Sequence, residues 1–491
     1  MATKRFVLVP ASVLVALPLM VSCNTRYHLA GELDAGPLGG TGTGTGGVGL
    51  TGASGSDGGG GGAGKGSGGG AAGSGGATGS GGGAGASDGG MSDASIAGPV
   101  PFRISPRDAL TRVARVLWET VPDQALVAIA DSGTLVTDED VRRVALTMLS
   151  DPRARVGVSH FYRWWLDLDA VINTTRKDPA LFPEYTSALA AAMAAETEAF
   201  AMDVTFDGDG KFPTLMRGSY SFVNESLAKL YGVPGVTGAD LRKVDLDPTQ
   251  RAGILTQPSF LTQTSSSTSW TSPTRRGYFV ADKILCRRPP PPPPEGETEI
   301  SVDPPVPQTN RQRLMRAVSN PECAGCHALM DPLGFAFESF DSIGRVRVAD
   351  NGLVIDASGT FQIDSGEATW KNVVELAQIL AKSRQAEECL GMKWLTYVLG
   401  RDLTDADTTS VTAIGDLFVS GGLDLRTAIA ATVSSASFLD PTTGGPPCVG
   451  GLSQNCNDDV RVSSLHGMCT PAGKCVCNDT STLNPATGRC R

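Results

Sequence analysis

The sequence predicts a mainly α-helical body that carries one or two short β-hairpins and is followed by a small disulfide-rich module. Three observations predict it. From Ser105 to Leu439 apolar residues recur at the three- and four-residue spacing of amphipathic helices, strand-like alternation is confined to the stretch around 346–363, and six of the eleven cysteines crowd between Cys448 and Cys490.

The N-terminus reads as a targeting segment. Lys4 and Arg5 form a basic start and Phe6 to Val21 an apolar run too short for a membrane span, so residues 1–22 are expected to be a signal peptide. Its end, "LMVSC", resembles the lipobox of bacterial lipoproteins, which implies that Cys23 becomes a lipidated N-terminus and anchors the chain to a bilayer. Asn24 rather than Asp follows, so retention at the inner membrane is not expected; the expected location is the outer membrane or cell surface, on its periplasmic or extracellular face. Residues 23–99 are then a tether, almost wholly Gly, Ser, Ala and Thr from Gly31 to Gly90, with too little apolar surface to offset the entropy of ordering. Lys65 is followed by Gly66 rather than Ser or Thr, so the phosphate-loop pattern fails.

Net charge narrows the partners. The formal charge is −10, and it becomes about −12 once Lys4 and Arg5 leave, which disfavours nucleic acid and anionic lipid surfaces.

The body opens, over 100–247, with helical modules. Ser105 caps a helix with Pro106 at its first position, and Leu110, Val113, Val116 and Leu117 share one face. "DEDVRRVALTMLSDPRARVGVSHFYRWWLDL" predicts two helices broken at Asp151-Pro152, "FPEYTSALAAAMAAETEAFAMDV" one long helix, and "SFVNESLAKLYGV" another ending near Gly232. Trp164 and Trp165 read as packing anchors. Residues 248–350 hold a polyproline strut, Pro289 to Pro294, and the stretch "PECAGCHALMDPLGFAFESFDSIGRVR". Glu338 and Asp341 are expected on a solvated face or paired with Arg345 or Arg347. Residues 351–441 are expected to form hairpins turned at Asn351-Gly352 and Ser358-Gly359, then helices over "WKNVVELAQILAKS", "AEECLGMKWLTYVLGR" and "DLRTAIAATVSSASFL".

The tail, 448–491, has no apolar run able to make a core, and its six cysteines allow 15 pairings. One residue separates the fourth and fifth cysteines and Gly488 stands just before the last, so the tail resembles an epidermal-growth-factor-like module. That resemblance implies Cys448–Cys469, Cys456–Cys475 and Cys477–Cys490. The acidic calcium-binding pattern is missing from "GGPPC", so no calcium is expected.

Four phrases together, "SFVNESLAKLYGV", "RAGILTQPSFLTQTSSSTSWTSPTRRGYFVADKILCRRPPPPPP", "CAGCHALMDPLGFAFESFDSIGR" and "CLGMKWLTYVLGR", resemble the planctomycete-type cytochrome-like proteins, which also occur in myxobacteria. The likeness covers nearly all of 102–439. It implies consecutive modules of unknown function, one bearing a Cys-x-x-Cys-His element, and leaves the reaction open.

That element is where chemistry is expected. Two thiols at this spacing add to the vinyl groups of a haem, and the histidine directly after the second lies beneath the iron. Cys323, Cys326 and His327 therefore predict one haem c, with electron transfer to an unidentified redox partner protein. Zinc would want a second Cys/His pair, and a thioredoxin-like pair a preceding strand, where "RLMRAVSNPE" reads as a helix end. Two readings stay open beside it: a haem-free structural or adhesive surface lipoprotein whose motif cysteines form disulfides, and a haem-dependent oxidoreductase. For the sixth position Met330 is expected on the same helical face as His327 and unsuited; Met392, Met315 and His160 are the candidates, Met392 first. Arg275 and Arg276 are candidates for the propionates. Cys286 and Cys389 are expected to pair with each other or, without haem, with the motif cysteines. No catalytic residue is identified.

Overall fold

Capping residues set the start of most elements in the computed structural model, which describes residues 101–265, 270–290, 306–319 and 321–440 and the backbone of four short strands between 467 and 490. Ser105 accepts from the Asp108 amide and starts α1 (Pro106–Leu117); Asp123 does the same for α2 (Gln124–Asp131). Thr137 and Asp140 form a reciprocal capping box on α3 (Asp138–Leu149), and the break at Asp151-Pro152 separates it from α4 (Ala154–Trp165). Then come α5 (Leu168–Asn173) and α6 (Ser187–Met202), which runs on into a π-helical turn, Asp203–Asp207. α7 (Phe212–Arg217) precedes β1 (Tyr220–Val223), and α8 (Glu225–Tyr231) ends at Gly232 in the left-handed conformation. β2 (Arg242–Asp245) returns antiparallel to β1, with Tyr220 opposite Asp245.

The second stretch contains α9 (Pro258–Gln263), α10 (Pro273–Phe279), α11 (Asn310–Ala317), α12 (Pro321–His327) and α13 (Asp331–Phe335). Two hairpins follow. β3 (Ala349–Asp350) pairs with β4 (Leu353–Val354) across the expected Asn351-Gly352 turn. β5 (Gly359–Ile363) pairs with β6 (Gly366–Trp370), and this corrects the expected turn at Ser358-Gly359. Ser358 instead closes a local turn on the Asp356 carboxylate, and the chain reverses at Asp364, whose φ of 54° is left-handed. Helices α14 (Val373–Leu380), α15 (Arg384–Leu399), α16 (Thr408–Ser420), α17 (Leu425–Val433) and α18 (Ala436–Leu439) complete the body.

The chain is mainly helical with short antiparallel pairs, as its periodicity predicts. Among the described residues no helix is long and apolar enough to cross a membrane. One core runs through the body: Phe161 of α4 stacks on Trp394 of α15 with centroids 3.6 Å apart, and the Trp165 indole donates to the Lys283 carbonyl. Trp165 is buried and Trp164 partly so. In the tail, β7 (Gly467–Cys469) pairs with β8 (Cys475–Cys477) and β9 (Leu483–Asn484) with β10 (Arg489–Cys490). The signal peptide, Cys23, the tether, most of the polyproline run and the tail's side-chain pairings Cys448–Cys469, Cys456–Cys475 and Cys477–Cys490 lie outside the described residues.

Candidate functional site

The Cys-x-x-Cys-His element is a single short helix. α11 starts at a capping box between Thr309 and Gln312 and ends at Ala317, with Val318 as its C-cap; Pro321, which cannot continue a helix but suits a first turn, begins α12. On α12 the positions 323, 326 and 327 are i, i+3 and i+4, so the two sulfurs and the imidazole share one face. Burial agrees: Cys323 and His327 are buried and Cys326 half-buried, while Ala324 and Gly325 are exposed.

The helix stops at His327. Tight bonds from the Leu329 amide to the Cys326 carbonyl and from the Met330 amide to the His327 carbonyl close it, and Met330 becomes the cap position of α13. This corrects the expectation that Met330 lies one continuous helical turn beyond His327. The side chain that meets the imidazole is Asp331, whose Oδ2 is 2.8 Å from Nδ1; Thr274 Oγ1 donates to Asp331 Oδ1 at 2.8 Å and lies 3.5 Å from Nδ1. A carboxylate only accepts, so Nδ1 carries the proton and Nε2 is the nitrogen through which a metal would be bound.

Backbone contact fixes this arrangement. A Cβ on Gly277 would stand 1.9 Å from the Met330 carbonyl oxygen, and one on Gly334 would stand 1.8 Å from that of Pro273. α10 and α13 therefore touch main chain to main chain, which brings Thr274, in the first turn of α10, against Asp331.

A buried polar network braces the same helices. Glu338 accepts from Thr271, from the Asn310 side-chain Nδ2 and from Arg347, which also holds Asp350. Of the two arrangements expected for Glu338, the pair with Arg347 is the one found, on a buried rather than a solvated face, while Asp341 pairs with Arg345. Arg276 is fully buried and donates to the carbonyls of Phe337, Phe340, Leu261 and Asp341, and burial pushes its guanidinium down to about 10. Spent on backbone, it is not placed to meet a propionate; Arg275 beside it is exposed. Lys177, held by the carbonyls of Thr262 and Ser265, is pushed down to about 7 by burial and by Arg276.

The distal candidates stand on three other helices. Met392 is half-buried on α15, which packs with α4, α16 and α17; His160 on α4 is paired through Nδ1 with Glu119; Met315 on α11 is largely exposed. Cys286 and Cys389 are joined in a disulfide, one of the two pairings open at the level of sequence. Among the described residues no group of three or more His, Cys, Asp or Glu side chains is arranged to hold a metal ion by itself.

A c-type haem asks for two thiols and an imidazole with one nitrogen tied back. His327 meets the demand through Asp331, and Cys326 is a free thiol. Cys323 is disulfide-bonded, so a thioether there requires a dithiol reductant to open that bond first. Sequence reasoning missed Asp331 and Thr274; the i, i+4 spacing from His327 was the available signal for the first, and tertiary packing alone brings in the second.

Comparison with family models matches three stretches in succession, each to a protein of unknown function: residues 104–233 to DUF1592, 251–350 to DUF1588 and 366–438 to DUF1585. The Cys-x-x-Cys-His helix lies in the second. No curated protein and no solved structure matches the chain. The body is thus built of consecutive DUF1592, DUF1588 and DUF1585 modules, the domain arrangement of the planctomycete cytochrome-like proteins.

Proposed function

We propose that this chain is an exported, lipid-anchored protein whose DUF1588 module carries one haem c and passes electrons at the cell envelope. Cys323 and Cys326 are its attachment residues and His327 its proximal ligand, with Cys23 as the lipidated terminus and the Gly/Ser-rich segment as tether. The observation that carries this reading is the His327–Asp331 hydrogen bond, 2.8 Å long between two buried side chains, at the end of a helix that sets two cysteines on the imidazole's own face. When bound, the haem supplies a one-electron iron couple. The residues of the chain attach it, orient the imidazole and shield that contact from water.

Expression with a haem-attachment system is expected to give a chain with a pyridine haemochrome spectrum of the thioether type and the added mass of one haem. Cys326→Ala is expected to lose the covalent haem. The disulfide at Cys323 favours a second reading, a haem-free structural or adhesive lipoprotein. A mature chain with no porphyrin mass and Cys323 recovered in a disulfide peptide would establish that reading and end the first.

A further inference from the structure

We infer that Asp331, oriented by Thr274, is a positioning residue that sets the electron donation of His327 and so holds the iron at low reduction potential. This rests on the haem reading above. His327 and Asp331 are each 4% exposed, and each oxygen of the carboxylate has its own partner: Oδ2 takes the Nδ1 proton and Oδ1 the Thr274 hydroxyl.

Two features make the pair more than a local bond. Burial places it where a carboxylate polarises its partner strongly, because little water competes. The backbone contact of α10 with α13 fixes the spacing of the main chains that carry Thr274 and Asp331, and the two hydrogen bonds to Nδ1 and to the Thr274 hydroxyl hold the carboxylate between them. A histidine whose far nitrogen gives its proton to a carboxylate is a more basic ligand than one bonded to a neutral carbonyl. A more basic axial ligand favours the ferric over the ferrous state, and hydrogen bonding beyond the ligand is one of the levers by which a protein tunes a haem. Thr274 opposes this in part, since its hydroxyl drains charge from the same carboxylate.

The two side chains therefore act in opposite senses, and the test uses that opposition. In the haem-loaded full chain, Asp331→Asn is expected to raise the midpoint potential and Thr274→Val to lower it, both measured by spectroelectrochemical titration. Thr274→Val keeps the shape of the side chain and reads the effect even where Asp331→Asn loads poorly. Loaded variants titrating at the parent potential, or both shifting in one direction, would overturn the inference while leaving the haem reading intact. A parent chain that takes up no haem removes both.

Discussion

On α6 a single carboxyl group, Glu196, is fully buried; one oxygen accepts from Ser221 and Tyr231, each at 2.6 Å, and the other has no hydrogen-bond partner. Burial pushes its carboxyl up to about 7 from an ordinary 4.5. The folded state therefore keeps a proton that the unfolded state releases between those values. Its contribution to stability is present below about 4.5 and lost as pH rises to about 7, a swing of roughly 3 kcal/mol at 1.36 kcal/mol per pKa unit. Glu196→Gln keeps the shape without the charge. Calorimetry from pH 4.5 to 8 is expected to show the variant melting above the parent at pH 8, with the gap closing toward pH 4.5; parallel curves would refute the assignment. Local sequence hides this residue, because a glutamate in "AAMAAETEAF" reads as an ordinary solvent-facing helix position. The alanines around it look like propensity, yet several are buried because α6 is enclosed on more than one side.

At the scale of elements, the crossing of α10 and α13 decides the geometry of the site. Neither Gly277 nor Gly334 has a positive φ in this structure; what each supplies is the missing Cβ that lets two backbones meet. Gly277→Ala is expected to force the helices apart at a cost of about 1–3 kcal/mol, the range for overpacking a closed contact. Urea unfolding would measure it, and an unchanged midpoint would show that the contact yields freely. The start of α10 was legible from Ser272-Pro273, and the end of α8 from Gly232, because caps and terminators act within a few residues. The end of α12 at His327 was not. Nothing in "CHALMDP" forbids one more helical turn, and it is the start of α13 against α10 that draws Met330 out of the helix and sets Asp331 against the imidazole. The β5–β6 reversal was misplaced for a similar reason: Ser358-Gly359 is a competent turn dipeptide, but register is decided by Gly359 lying opposite Trp370, a pairing eleven residues long-range.

Over the whole molecule, three sequence modules share one core. Phe161 of the first stacks on Trp394 of the third, while the disulfide Cys286–Cys389 ties the second to the third across a sequence separation of 103. Closing so long a loop restricts the unfolded chain strongly, so Cys389→Ser is expected to cost about 2–5 kcal/mol, read as a lowered urea midpoint under oxidising conditions. Under reducing conditions the two proteins should converge, and a difference that persists there would assign the loss to packing around Cys389 instead. By itself, the sequence determined the helical class, the start of α1 at Ser105, the end of α8 at Gly232 and the shared face of Cys323, Cys326 and His327, since each follows from periodicity and spacing within a few turns. Tertiary structure alone decided that Thr274 holds the Asp331 carboxylate behind His327, that Arg276 is consumed by carbonyls, that Glu196 is buried and that Cys323 is held in a disulfide. Those outcomes depend on groups distant in the chain, and the folded packing, rather than any local pattern, determines the partner each one finds.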